Sequence, residues 1–191
     1  DIEIIVINNG STDGTKEYLD NLHRNNLIIE HFKKNTGGPY ACYNRGLELA
    51  TGKYITFMYD DDLLVSHAVS TVMEVMLDKK YRWVTSNCIN PANGKFTYKN
   101  IHNNCVIKFE DMFLQKYTGE AWSIFERSLI EDTKFYTDQY GGEGLVWLQM
   151  YLESDAYYIH QGLRIYIKHS DNYTSLNNYL KNSALIAKTH Q

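Results

Sequence analysis

The sequence predicts an α/β fold, a mostly parallel sheet flanked by helices, and three observations carry that prediction. Ile2 to Ile7 (IEIIVI) is a near-continuous β-branched run, the pattern of a strand covered on both faces. Strand-like and helix-like segments then alternate through residues 1–90, which calls for helical crossovers between parallel strands. Finally, Tyr54 to Tyr59 (YITFMY) is apolar, aromatic or β-branched throughout and stops at three consecutive carboxylates, Asp60, Asp61 and Asp62.

The elements follow in chain order. After the first strand, NNGSTDGT is a turn-forming cluster, and Lys16 to Arg24 fits a short helix with Tyr18, Leu19 and Leu22 on one side. Leu27 to Phe32 is a second strand. NTGGP interrupts the chain, and Tyr40 to Ala50 resumes a helical period with Ala41, Leu47 and Ala50 facing inward. The strand from Tyr54 to Tyr59 reads as buried. Val69 to Leu77 is a helix and Arg82 to Ile89 a strand. The second half is less regular: NPANGK is a turn, Glu110 to Gln115 and Gly144 to Glu153 are helices, and AYYI with LRIYIKH forms a late pair of short strands. Ser175 to Lys188 closes the chain as a helix. No repeat or linker interrupts the 191 residues, a length suited to one domain with a proper core.

Composition narrows the function. Hydrophobic residues make up 43% and charged residues 22%, as in ordinary globular chains, and a net charge of −4 excludes broad electrostatic binding of nucleic acid. The three cysteines, Cys42, Cys88 and Cys105, are odd in number and form no C-x-x-C pair, which predicts a reduced, cytoplasmic setting. No apolar run reaches bilayer length, so peripheral contact is the only membrane association expected. The 16 tyrosines supply flat apolar faces with polar tips, suited to packing against sugars.

Three adjacent acids at the end of a strand repel one another and lose solvation. In open α/β sheets ligands gather at the carboxyl ends of strands. A divalent cation there reverses the balance, because Mn²⁺ or Mg²⁺ takes hard oxygen ligands and leaves positions for substrate phosphates. The plainer alternative is a solvated turn in which Asp62 caps the next segment.

Three segments in fixed order then point to a family. VINNGSTDGT supplies Gly10, Ser11, Asp13 and Thr15; NTGGPYACYNRGLELATGKYI supplies Asn35, Gly37, Asn44, Gly46, Ala50, Gly52 and Tyr54; the acids supply Asp61 and Asp62. Together they resemble the family 2 glycosyltransferases of the GT-A fold. The resemblance implies a GT-A-like (Rossmann-like) single domain, with residues 1–90 as the nucleotide-sugar-binding half and 91–191 as the acceptor and catalytic half. It also implies donor contacts from Asn8, Asn9, Asp13, Asn44, Arg45 and Asp60, and metal contacts from the acid triplet. Family members commonly carry acids where Asn8 and Asn9 stand; an Asn amide still offers a base one donor and one acceptor. Tyr43 replaces the usual Arg, with Arg45 two residues on. The family's first metal-motif Asp aligns with Tyr59. Alternation along an extended stretch pairs Asp62 with Asp60, whereas the family pattern favours Asp61. Members also begin with a strand that this sequence lacks. An N-terminal piece absent from the chain is the expected reason, since a parallel sheet without that strand leaves a long open edge.

In the second half, YGGEGLVWLQM (Tyr140 to Met150) resembles the family segment whose acid opens a helix and acts as catalytic base. Matching Trp147, Leu148 and Gln149 to the family's W-L-R places Glu143 at the base. The other register leaves Gly144 there, and a bland reading has Glu143 merely favouring a helix N-terminus. By the same resemblance Lys168 faces the diphosphate and His169 is an extra metal ligand, though a His ending a strand is more often a surface residue. Glu120 is the second carboxylate candidate. Trp147 reads as core. The expected function is metal-dependent, inverting transfer from a UDP-sugar to a saccharide or glycan hydroxyl. A silent nucleotide-sugar-binding module and a sugar nucleotidyltransferase are the alternatives.

Overall fold

A computed structural model describes residues 1–138 and 142–168. The expected closing helix at Ser175 to Lys188 and the candidate ligand His169 lie outside the described residues. The chain forms two compact units, the first built from residues 1–53 and 131–146, the second from 54–130 and 147–168 among those described.

The first unit opens with β1 (Ile4–Asn8), α1 (Thr15–Asp20), β2 (Leu27–His31) and α2 (Tyr40–Leu49). β1 and β2 pair in parallel, from Ile4 opposite Leu27 to Asn8 opposite His31, as the β-branched run predicts. α1 stops four residues before the expected Arg24. The Asn21 amide closes it on the Tyr18 and Leu19 carbonyls, and Asn21 Nδ2 donates to the Glu17 carbonyl. Gly10 turns the chain after β1 with φ +70°, and a Cβ there would lie 2.4 Å from the Asn35 backbone nitrogen. Gly10→Ala is therefore expected to cost at least about 1–2 kcal/mol from the left-handed backbone alone. The clash adds to that, and urea denaturation of the variant measures the total.

The second unit contains β3 (Tyr54–Ile55), β4 (Leu63–Leu64), α3 (Ala68–Lys79), β5 (Trp83–Asn90), β6 (Lys95–Phe96), β7 (Cys105–Ile107), α4 (Phe109–Phe113) and β8 (Ala121–Glu126). A 3₁₀ turn (Arg127–Leu129) follows β8, and β9 (Ala156–Ile165) comes after α5 (Glu143–Glu153), the helix in which the division between units falls. The strand order is β3-β8-β5-β9-β4, with β6 on β5 and β7 on β9. The parallel ladder expected of the fold is the one between β5 and β9, while the shorter flanking pairs run antiparallel. Ala68, Val72 and Met76 share one face of α3 at four-residue spacing and bury against Val84, Cys88, Trp122, Ile124, Ile159 and Leu163.

Three sequence expectations change here. The strand from Tyr54 to Tyr59 makes ladder bonds only at Tyr54 and Ile55, and Met58 and Tyr59 are exposed. Its place at the end of the strand order gives it one neighbour, so its apolar run is not covered on both sides. The two late strands are one ten-residue strand, β9, whose register against β5 shifts around Asn87. Asn87 is buried and heals the irregularity, donating to the Tyr98 carbonyl and Tyr158 hydroxyl and accepting from the Tyr98 and Cys88 amides. Gly162 is required in β9 because a Cβ would come within 2.3 Å of Ile89. The third is β8, a strand that no local pattern predicts.

Candidate functional site

In the first unit, the residues expected at the donor knit two loops together. Asn8 is buried; its side-chain Oδ1 accepts the Ser11 amide at 3.0 Å, and its Nδ2 lies 3.1 Å from His31 Nδ1. His31 Nε2 in turn faces Asp20 at 3.0 Å, so the proton belongs on Nε2 and Nδ1 accepts. Asn9 donates to the Gly38 carbonyl and accepts from both the amide and the hydroxyl of Thr36. An Asn serves at this place because an acid could accept from Thr36 but could not donate to Gly38. Exposed Asp13 accepts from the Thr15 hydroxyl and amide, which hold its carboxyl below the ordinary range.

On α2, Asn44 clamps the backbone of Phe135, donating to its carbonyl at 2.9 Å and accepting its amide at 2.8 Å. The Phe135 ring stacks on Tyr40 and meets Tyr43 edge-on at 5.0 Å. Buried Tyr40 donates its hydroxyl to the Glu143 carboxylate, which is half-buried in the first turn of α5. Arg45 forms charge-assisted bonds with Glu30 and Glu48, which raise its already high pKa further. Asn44 and Arg45 thus brace α2 against its surroundings.

In the second unit the acid triplet occupies a turn between β3 and β4, so the alternation expected of extended backbone does not apply. Asp60 is exposed, Asp61 half-buried and Asp62 buried. Asp62 Oδ1 accepts the Ile167 amide at 3.0 Å, and Oδ2 lies 3.4 Å from Nε of Arg164. Burial pushes the Asp62 carboxyl above the ordinary range, while the Ile167 amide and Arg164 oppose the shift and the Asp61 and Asp60 charges add to it. Arg164 also reaches Glu120 at 3.1 Å. Lys168 is exposed just beyond β9. Half-buried Trp147 packs near Phe57 and Phe125, and Trp122 is buried in the core.

The family model for glycosyl transferase family 2 matches residues 1–144. The chain belongs to glycosyl transferase family 2. Within that family it is 36% identical over 172 residues to a GalNAc(5)-diNAcBac-PP-undecaprenol beta-1,3-glucosyltransferase of Campylobacter jejuni, covering 87% of this chain and 55% of that protein. It is 25% identical over 182 residues to the glycosyltransferase GlyA of Streptococcus pneumoniae, covering 86% of this chain and 26% of that protein. The family 2 chain thus spans about half or less of these relatives. Its fold matches S. aureus TarS 1-349 in complex with UDP-GlcNAc with a TM-score of 0.75 at 19% identity, over 98% of this chain and 57% of that one. The α/β fold of the GT-A type is therefore shown.

Whether this family 2 chain suits a divalent cation turns on its donor set. Asp60 and Asp61 provide hard carboxylate oxygens, and Mg²⁺-like cations complete their shell with water and substrate phosphates. Among the described residues no three His, Cys, Asp or Glu side chains gather to enclose an ion. The donors fit a site shared with substrate and do not fit a closed protein cage. Among the described residues no helix is long and apolar enough to cross a membrane.

Two participants escaped the sequence reading. Tyr40 looks like ordinary helix-face aromatic residue, and nothing local marks its partner more than one hundred residues on. Arg164 did leave a sign: it is the single cation inside the apolar LRIYI run, and a charge at a buried strand position requires a partner.

Proposed function

We propose that the chain carries the donor-binding and catalytic part of an inverting, metal-dependent glycosyltransferase that moves a sugar from a UDP-sugar to a saccharide or glycan hydroxyl. The observation that carries this reading is the acidic turn Asp60–Asp62 between β3 and β4, in a chain of family 2. A TarS structure in complex with UDP-GlcNAc supports a uridine donor, and the Campylobacter relative's GalNAc(5)-diNAcBac-PP-undecaprenol supports a saccharide acceptor carried on a lipid. A peripheral encounter with the membrane surface would follow from such an acceptor.

Asp60 and Asp61 would hold the cation, Mn²⁺ or Mg²⁺, which when bound supplies charge neutralisation at the leaving diphosphate. Glu143 takes the proton from the attacking hydroxyl as its oxygen bonds to the anomeric carbon, and the bond from that carbon to the diphosphate breaks on the opposite face, which releases UDP and inverts the centre. Tyr40 donates to the Glu143 carboxylate and fixes its orientation for that transfer. Lys168, with its exposed ammonium, attracts the diphosphate.

A thermal-shift panel tests this reading. UDP and UDP-sugars with Mn²⁺ are expected to raise the melting temperature, because a ligand that binds only the native state stabilises it by mass action. The same nucleotides in EDTA should give a much smaller shift. Equal shifts in Mn²⁺ and EDTA would refute metal dependence, and no shift with any nucleotide would refute the donor class.

A further inference from the structure

We propose that Arg164 is the positioning residue of the acidic turn, setting Asp60 and Asp61 in place for the cation and diphosphate before substrate arrives. The inference rests on the nucleotide-sugar reading above. Arg164 lies in β9 with 4% of its surface exposed, and a guanidinium so buried needs opposing charge. Among the described residues it faces two carboxylates. Nε sits 3.4 Å from Asp62 Oδ2, and a terminal nitrogen sits 3.1 Å from Glu120 Oε2. The guanidinium carbon also lies 5.5 Å from the centre of the Tyr166 ring.

Asp62 is thereby held through both oxygens by β9 and its continuation, one by Arg164 and the other by the Ile167 amide. Asp62 is the residue at which the turn re-enters the sheet, since Leu63 and Leu64 pair with Ile165 and Arg164. Fixing it fixes the exit of the turn, and Asp60 and Asp61 are the two residues immediately before it. Glu120 anchors the other side of the guanidinium, and its own carbonyl accepts the Thr97 hydroxyl at 2.8 Å. The planar fork of Arg spans both carboxylates; a Lys ammonium is a point charge and engages one at a time. Partners placed behind ion-binding carboxylates set their orientation in this way.

The test uses Arg164→Lys and Glu120→Ala, with UDP as the titrant in calorimetry, in Mn²⁺ and again in EDTA. In Arg164→Lys the Mn²⁺-linked gain in UDP affinity is expected to fall by about tenfold or more, with affinity in EDTA unchanged. Glu120→Ala should give a smaller loss alone and no further loss in the Arg164→Lys background, because both act through one guanidinium. A lowered melting temperature with an unchanged Mn²⁺-linked gain would overturn the inference and leave Arg164 a purely structural residue. If Arg164→Lys does not fold, Glu120→Ala decides alone, and an unaltered gain in it overturns the inference. A wild-type chain that shows no Mn²⁺-linked gain overturns the metal reading and this inference together.

Discussion

Glu143→Gln is expected to reduce sugar transfer by roughly 10²–10⁴-fold in kcat, the usual contribution of a positioned general base, with donor KM little changed. The substitution keeps shape and keeps an oxygen that accepts the Tyr40 hydroxyl, so the packing of Tyr40 on Phe135 should survive. What it removes is the basic lone pair that receives the acceptor's proton. Tyr40→Phe is the companion control. It leaves the carboxylate and removes only its partner, so its loss should be smaller and fall on kcat. Steady-state kinetics on both variants, with circular dichroism to confirm folding, reads the difference. Equal turnover in wild type and Glu143→Gln would show that another group takes the proton.

Arg164→Met is expected to destabilise the fold by about 3–5 kcal/mol, because it strands a buried carboxylate without its opposing charge. The Asp62 side chain has no exposed surface, and among the described residues its Oδ2 makes no hydrogen bond that could substitute for the guanidinium. Adding Asp62→Asn to Arg164→Met should recover part of the loss. Asparagine removes the stranded charge but retains an acceptor for the Ile167 amide. Urea denaturation of the single and double variants measures both effects. A loss well below 1 kcal/mol for Arg164→Met would mean that water reaches Asp62 once the guanidinium is gone.

The sign of the Asp62 shift bears on how these measurements are buffered. Its folded pKa is raised, so the folded state binds the proton more tightly than the unfolded state. Its contribution is therefore most favourable below the ordinary carboxylate value of 3.8 and is lost as pH rises through the raised folded value. Only the ionised form needs Arg164, so the loss in Arg164→Met is expected to grow as pH rises through the raised folded value.

What the sequence by itself determined were the elements whose signal is local. The β-branched run at Ile2 to Ile7 and the period of Tyr40 to Ala50 each lie within a few residues, and β1 and α2 appear where those patterns put them, whereas β3 stops at Ile55 and leaves the acids in a turn. The ordered segments also identified the family, because glycine, asparagine and acid spacings recur as a set. Tertiary structure alone decided what those motif residues touch. Asn44 clamps Phe135, Asn9 joins the Thr36 loop, and Tyr40 meets Glu143, all across separations that no window of sequence spans. The same holds for β8: Trp122 and Ile124 alternate, but buried Phe125 breaks the period after those two positions, and pairing with β5 makes it a strand. Local patterns fix backbone preference because their energies arise between near neighbours. The partner of a buried charge such as Arg164 is chosen by the path of the folded chain, which brings Asp62 and Glu120 to one guanidinium.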